Sequence, residues 1–259
     1  MRYSPRSVRQ LVAGTGLAFA AAFVFSTAVP SAARAADDFT PGQKLQMETV
    51  IHDYLMKNPQ VLIDALNAYQ DHQQEAANRK FKDKVGDYKG FLTSADAPYA
   101  GNPKGDVTIV EFFDYNCGYC KHAVGDVKKL IDGDKNVKVI FKDFPILAPS
   151  SNDAARFALA SNKQGKYFDF YQALMAYPGE KNEDAYQKIA KDLNLDWDKL
   201  KSDADSSDVR NAVEKNLEVG RELGINGTPA FIFDNELVPG YIGVQNMQQM
   251  VAKVRKQNG

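Results

Sequence analysis

The apolar positions of this chain change period several times, and each change marks an element. Leu11 to Val29 is an apolar stretch rich in Ala and Phe. Met47, Val50, Ile51, Tyr54 and Leu55 then recur at the spacing of one helical face. Asn58-Pro59 interrupts that stripe, since Asn can cap and Pro is tolerated as a first helical residue. A second stripe runs through Leu62, Ala65, Leu66 and Tyr69. From Asp71 to Lys89 few apolar residues remain, which predicts a solvated helix or linker. Ser94 to Asp106 is turn-rich and introduces the next domain. Val107 to Phe113 is then a nearly continuous apolar run, as a buried strand requires.

After that strand, Ala123 to Ile131 reads as a helix and Val137 to Phe141 as a second strand. Pro145 to Pro149 reads as a loop. Asn152 to Leu223 is mainly helical, with breaks at Gly165, Pro178-Gly179 and the Asp196–Asp205 region. Ala230 to Phe233 and Glu236 to Val238 predict a hairpin around Asp234-Asn235, and a last helix runs from Val244 toward Lys256. The order is strand, helix, strand, helical block, hairpin, helix. With the block taken as an insertion, this is an α/β fold of thioredoxin type. The expected organisation is a leader at 1–35, a helical arm and linker at 36–92, and a catalytic domain at 93–259 with its insertion at about 146–224.

Composition changes the picture at the amino end. Arg2, Arg6 and Arg9 precede the first apolar stretch, and Ala33-Arg34-Ala35 gives a small-x-small exit. Gly14, Gly16, Ser26, Thr27 and Pro30 shorten the apolar core below a membrane span of about 20 residues. This reads as a cleaved secretory signal peptide. Its removal takes away four Arg and no acid, which moves the formal charge from −1 to −5. A mildly acidic mature chain has no electrostatic case for binding nucleic acid.

The chain has two cysteines, Cys117 and Cys120, in the stretch EFFDYNCGYCKHA. A structural staple is a weak reading, because so short a loop restricts the unfolded chain little. The pair lies where a strand hands over to a helix, the context of a redox dithiol. With Cys117 at the helix start, free N–H groups and the helix dipole favour its thiolate. Cys120, a turn later, can close onto Cys117 and resolve a mixed disulfide. Gly118 lets backbone approach closely, and Tyr119 adds no formal charge. Glu111 precedes Cys117 in the strand. Pointing inward it would be a buried carboxyl able to relay a proton with Cys120. Periodicity alone favours a partly solvated strand glutamate. Lys121 and His122 are expected to face solvent. Thr228-Pro229 precedes an apolar strand; a cis bond there would turn the Thr228 backbone toward the cysteines, ready to pair with an extended client segment. A proline opening an edge strand is the other reading.

VEFFDYNCGYC together with GINGTPAF resembles the DsbA-like thiol:disulfide interchange family, whose fold is a thioredoxin fold with an inserted helical domain. The resemblance runs from about Asp96 to the end of the chain. It implies that Cys117 attacks, Cys120 resolves, Glu111 relays protons, and Thr228, Pro229, Gly118 and Tyr119 meet substrate. It implies no cofactor and no metal. DsbA-type oxidases carry Pro-His between the cysteines and Val before the cis proline. Gly118-Tyr119 and Thr228 are instead similar to DsbC-type isomerases. DFTPGQKLQMETVIHDYLMKNPQVLIDAL resembles the oligomerising arm of the suppressor-for-copper-sensitivity C (ScsC) group. That implies a periplasmic homotrimer, kept reduced by a ScsB-like membrane thiol reductase and acting on misfolded or disulfide-bonded exported proteins.

The arm argues the same way on physical grounds. Two short amphipathic helices cannot bury enough apolar surface alone, so they must dock on the catalytic domain or on copies of themselves. The polar spacer favours copies. Three other functions stay open at this point. One is a DsbA-like dithiol oxidase and another a thiol-independent holdase using the oligomer cavity. The third is copper binding or delivery, because soft Cu(I) accepts two thiolates. Zinc normally takes four ligands, and His52, His72 and His122 form no clear completing cluster.

Overall fold

A computed structural model describes residues 39–259; the expected leader at 1–35 lies outside them. The described chain falls into two units, one ending at Pro59 and one running from Gln60 to Gly259. The first holds helix α1, Pro41–Lys57. Thr40 caps it in a reciprocal box with Gln43, and Asn58 closes its carboxyl end. No α1 residue is buried.

The second unit opens with α2, Gln60–Leu92. It continues through β1 (Tyr99–Gly101), β2 (Val107–Phe113), α3 (Gly118–Gly133) and β3 (Val137–Asp143). Five helices follow: α4 (Pro149–Asn162), α5 (Tyr167–Ala176), α6 (Glu183–Asp192), α7 (Trp197–Ala204) and α8 (Ser207–Glu222). The chain then returns to the sheet as β4 (Ala230–Phe233) and β5 (Glu236–Pro239) and ends in α9, Gly243–Asn258. The sheet order is β1-β3-β2-β4-β5, with β2 and β3 parallel and the other pairs antiparallel. This is a thioredoxin-like sheet with five helices inserted between β3 and β4.

The register sorts the strand residues onto two faces. Ile109, Phe113, Val139, Phe141, Phe231 and Phe233 pack with α3, α4, α5 and α9. Val110, Phe112, Ile140, Ala230 and Ile232 pack with Val219 of α8, with Leu223 at its carboxyl cap, and with Val85 and Leu92 of α2. Both faces are covered, so the central strands read as continuous apolar runs rather than alternations. Fully burying each such Val, Leu or Phe contributes roughly 1.5–3 kcal/mol.

Several expectations need correction. Asp71–Lys89 is neither a linker nor wholly solvated: it lies within α2, and Phe81, Val85, Tyr88, Phe91 and Leu92 form a sparse stripe that docks on the sheet. Polar ties add to that docking. Tyr88 bonds the Glu222 carboxylate at 2.5 Å, and Lys142 Nζ donates to the Phe91 carbonyl at 2.9 Å while lying 3.9 Å from the Phe91 ring centre. The Asp196–Asp205 region is no break but α7, because Asp196 accepts from the Lys199 N–H and starts a helix. The turn-rich Ser94–Asp106 segment contains the short edge strand β1. The helix that follows β2 starts at Gly118 with Cys117 as its cap, as the placement of Cys117 at the helix start expects, although its apolar stripe begins only at Ala123.

Gly220 of α8 packs closely against Phe144, the residue just beyond β3. A Cβ there would overlap the Phe144 ring. Gly220→Ala is therefore expected to destabilise the domain by about 1–3 kcal/mol through overpacking, read as a lower urea midpoint at unchanged slope. An unchanged midpoint would show that Phe144 can move aside freely.

Candidate active site

The chain leaves β2 at Phe113 and must turn sharply to enter α3. Asp114 holds that turn. Its buried carboxylate accepts from the Asn116 N–H at 2.7 Å, the Ile146 and Leu147 N–H groups at 2.8 and 3.0 Å, and the Ser151 hydroxyl at 2.7 Å. One side chain thus ties the loop before Cys117 to the loop after β3. Sequence reasoning passed over it; an acid three residues ahead of a helix-capping cysteine was the available signal.

Cys117 is the N-cap of α3, with extended backbone angles. Its sulfur accepts from the Cys120 N–H at 3.3 Å, in the place where a Ser or Asp oxygen would satisfy a free helix N–H. The Cys117 thiol also donates to the Thr228 carbonyl at 3.2 Å. The Thr228–Pro229 bond is cis. Residues 111 places apart in the chain therefore meet at one sulfur. A groove of about 350 Å³ runs beside this contact, lined by Ile225, Gly227, Pro229, Leu237 and Pro239. Gly118 and Tyr119 are exposed at the helix start, and Tyr119 projects with 67% of its surface free. Lys121 and His122 face solvent, as the sequence suggests.

Behind Cys117 the site is dry. Cys120 is fully buried, and burial, with smaller contributions from Cys117 and from the Glu111 charge, pushes its thiol well above the usual range. Glu111 is also fully buried, not partly solvated as periodicity favoured. The reason is topological: β2 is the middle strand and has no solvent face. Burial pushes the Glu111 carboxyl up from 4.5 to about 8, against a weaker downward pull from Tyr171. The Tyr171 hydroxyl lies 3.5 Å from both carboxylate oxygens. Tyr171 comes from α5 of the insertion, so no reading of β2 alone could supply it.

The arrangement can carry a thiolate at a helix end, an apolar groove and backbone carbonyl beside it, and a second thiol with a neighbouring buried acid. Those are the parts that thiol–disulfide exchange requires. Among the described residues no group of three or more His, Cys, Asp or Glu side chains could hold a metal ion.

The raised Glu111 carboxyl has a consequence for stability. Between pH 4.5 and about 8 the folded chain holds a proton that the unfolded chain has lost. Stability present below pH 4.5 is therefore lost as pH rises toward 8. Glu111→Gln is expected to be more stable than the wild type by about 3 kcal/mol at pH 7, with the gap closing toward pH 4.5. Urea midpoints at the two pH values check this; equal midpoints at pH 7 would contradict it.

Comparison with known proteins agrees with the geometry. The family model described as a DSBA-like thioredoxin domain matches residues 108–254, and that of the copper resistance protein ScsC N-terminal domain matches residues 43–76. A thioredoxin-like oxidoreductase from Silicibacter pomeroyi is 42% identical, covering 64% of this chain and 97% of its own, with a TM-score of 0.62. The thiol-disulfide exchange protein alpha-DsbA2 from Wolbachia pipientis is 31% identical, covering 69% and 98%, with a TM-score of 0.65. The catalytic domain of Proteus mirabilis ScsC is 25% identical, covering 67% and 97%, with a TM-score of 0.62. The chain spans about a quarter of the length of the curated Na(+)/H(+) antiporter NhaA relatives it matches, 24% in the Salinispora arenicola case. No described helix is long and apolar enough to cross a membrane. With its fold, its Cys-x-x-Cys at a helix start and a match over residues 108–254, the chain belongs to the DsbA-like thioredoxin-domain family of thiol-disulfide oxidoreductases.

Proposed function

We propose that this protein is an exported, periplasmic disulfide isomerase and reductase that works through the Cys117–Cys120 dithiol. The observation that carries the reading is the position of the Cys117 sulfur. It caps α3 and lies 3.2 Å from the carbonyl of Thr228, a residue that lines an apolar groove, while Cys120 is sealed behind it.

The Cys117 thiolate attacks one sulfur of a client disulfide. A mixed disulfide forms and the second client sulfur leaves as thiolate. If that thiolate attacks another client disulfide, the client is rearranged and Cys117 is eventually released, with no net electron transfer. If Cys120 attacks first, the client leaves reduced and Cys117–Cys120 is oxidised. A ScsB-like membrane thiol reductase would then return two electrons. Extended client segments would pair with the backbone at Thr228 and Pro229. Gly118 would leave room for them, and Tyr119 would offer an exposed ring.

The ScsC-type N-terminal segment supports self-association. Leu45, Val50, Ile51 and Tyr54 of α1 are exposed, and so are Val61, Leu62, Leu66 and Tyr69 of α2. Each helix leaves an apolar face open to another chain. A homotrimer would hold several thiols around one misfolded client and raise their effective concentration. On this reading residues 36–70 serve the assembly, and the carboxyl half of α2, docked on the sheet, belongs with 93–259 and the chemistry.

The test is refolding of a scrambled-disulfide substrate by the reduced mature protein, run beside its solution mass with and without residues 36–70. Reshuffling by a trimer, abolished by Cys117→Ala and weakened in the truncated form, is the expected result. Rapid dithiol oxidation without reshuffling would replace this reading with a DsbA-like oxidase. Tight Cu(I) binding by the dithiol without exchange activity would replace it with metal delivery.

A further inference from the structure

One fully buried acid, Asp143, has no part in the exchange chemistry described above. Asp143 ends β3, beside Phe113 in the sheet register, as Phe141 lies beside Glu111. Glu111 and Asp143 therefore project from the same face of the sheet as diagonal neighbours on adjacent parallel strands. Both are fully buried. Three tyrosines fill the space around them. Tyr171 reaches the Glu111 carboxyl, and the Tyr167 hydroxyl donates to Asp143 Oδ2 at 2.8 Å. Tyr167 and Tyr171 lie four apart on α5, with stacked rings 6.4 Å between centres. The Tyr115 ring lies 6.3 Å from that of Tyr171.

Asp143 Oδ1 and the Tyr115 hydroxyl make no close hydrogen bond to any other group, and Tyr115 acts on Asp143 as a weak partner. A carboxylate oxygen and a phenol held this loosely in the core leave room for a proton to shift between them. Buried groups of this kind recur where protons or ligands move. Tyr167 also lines an open cleft of about 750 Å³, between Pro98–Gly101 and α8, on a different side of the domain from the Thr228 groove.

We propose that Asp143 is a positioning residue of the dithiol reaction: it shares a buried proton with Glu111 through the Tyr171–Tyr167–Tyr115 cluster and keeps Glu111 ready to accept from Cys120. This rests on the exchange function proposed above. The step balances as follows. Glu111 passes its resting proton to the Asp143 carboxylate. The Cys120 thiol gives its proton to the Glu111 carboxylate, and its sulfur attacks Cys117 of the mixed disulfide. The Cys117–Cys120 bond forms, the client sulfur leaves as thiolate, and the proton on Asp143 leaves by way of Tyr167 and the cleft.

Burial pushes Asp143 up from 3.8 to about 7, against the pull of Tyr167, Tyr115 and its β3 neighbour Lys142. Glu111 stands at about 8, faced by Tyr171 from α5 and by Cys120 from α3. Burial, then the Asp143 charge, raises Tyr115 and Tyr167; burial, then Glu111 and Cys120, and more weakly Asp143, raises Tyr171. The field of Asp143 thus reaches the tyrosine that touches Glu111. With Asp143 pushed to about 7 and Glu111 to about 8, Asp143 is the first of the two to lose its proton as pH rises.

The experiment measures the rate at which Cys120 resolves a preformed mixed disulfide between Cys117 and a chromogenic thiol, from pH 5.5 to 9. The proteins are the wild type, Asp143→Asn, Glu111→Gln and the double variant. In the wild type the rate is expected to rise in two steps. Asp143→Asn removes the lower step, and the rate at pH 7 falls about tenfold, less than the roughly 100-fold floor for direct general-base catalysis. The double variant is no slower than Glu111→Gln, because both act on one proton. Alkylation of Cys117 stays at the wild-type rate, which separates this result from damage to the exchange site. Tyr167→Phe, which keeps the ring, gives a weaker loss of the same kind and stands in if Asp143→Asn fails to fold. An unchanged profile, a faster rate below pH 7 from simple loss of a like charge, or full additivity with Glu111→Gln would overturn the proposal. Absence of any Cys120-dependent release in the wild type would overturn the exchange function itself.

Discussion

Free N–H groups at the amino end of a helix must find acceptors, and at α3 this chain answers one of them, that of Cys120, with a sulfur. Cys117 takes the capping role at α3 that an oxygen usually fills, and everything at the site is arranged around that one contact. Asp114 fixes the turn that delivers the sulfur, through four hydrogen bonds to groups on both sides of it. The loop before β4 brings the Thr228 carbonyl against the same sulfur. The sheet then decides what lies underneath. Because β2 is central, the side chain two turns of strand back from the helix, Glu111, has no route to water.

The two halves of the site differ. At the rim the Cys117 sulfur accepts from a helix N–H and reaches the Thr228 carbonyl. In the core, burial disfavours every charge, and so Cys120, Glu111 and Asp143 all hold their protons to unusually high pH. This division suits an exchange enzyme. On the proposed function, Cys117 would attack while Cys120 keeps its proton until a mixed disulfide forms. The cost is stability at neutral and alkaline pH, which the large apolar clusters on both sheet faces offset.

The cysteines and the Thr-Pro pair were legible in the sequence because their meaning is local: a strand, a short spacing, a helix, and later a turn before another strand. The paired strands and the closing hairpin were legible too, since long apolar runs bounded by turns leave few alternatives. The environment of Glu111 was not, because alternation cannot separate inside from outside on a strand covered on both faces. Tyr171, Tyr167 and Asp143 were invisible for a related reason. They reach the site from the insertion and from a neighbouring strand, and only the register brings them together. The docking of α2 was missed because five apolar residues among many charged ones form too thin a stripe to register as core.

The central claim is that position makes these two thiols different. Pulse alkylation with iodoacetamide at pH 7, read site by site by mass spectrometry on the reduced protein, tests it directly. The account expects Cys117 to react at least about tenfold faster than an unstructured peptide thiol, and Cys120 to stay unmodified until the fold is opened with denaturant. Equal modification of both sulfurs at the peptide rate would contradict it.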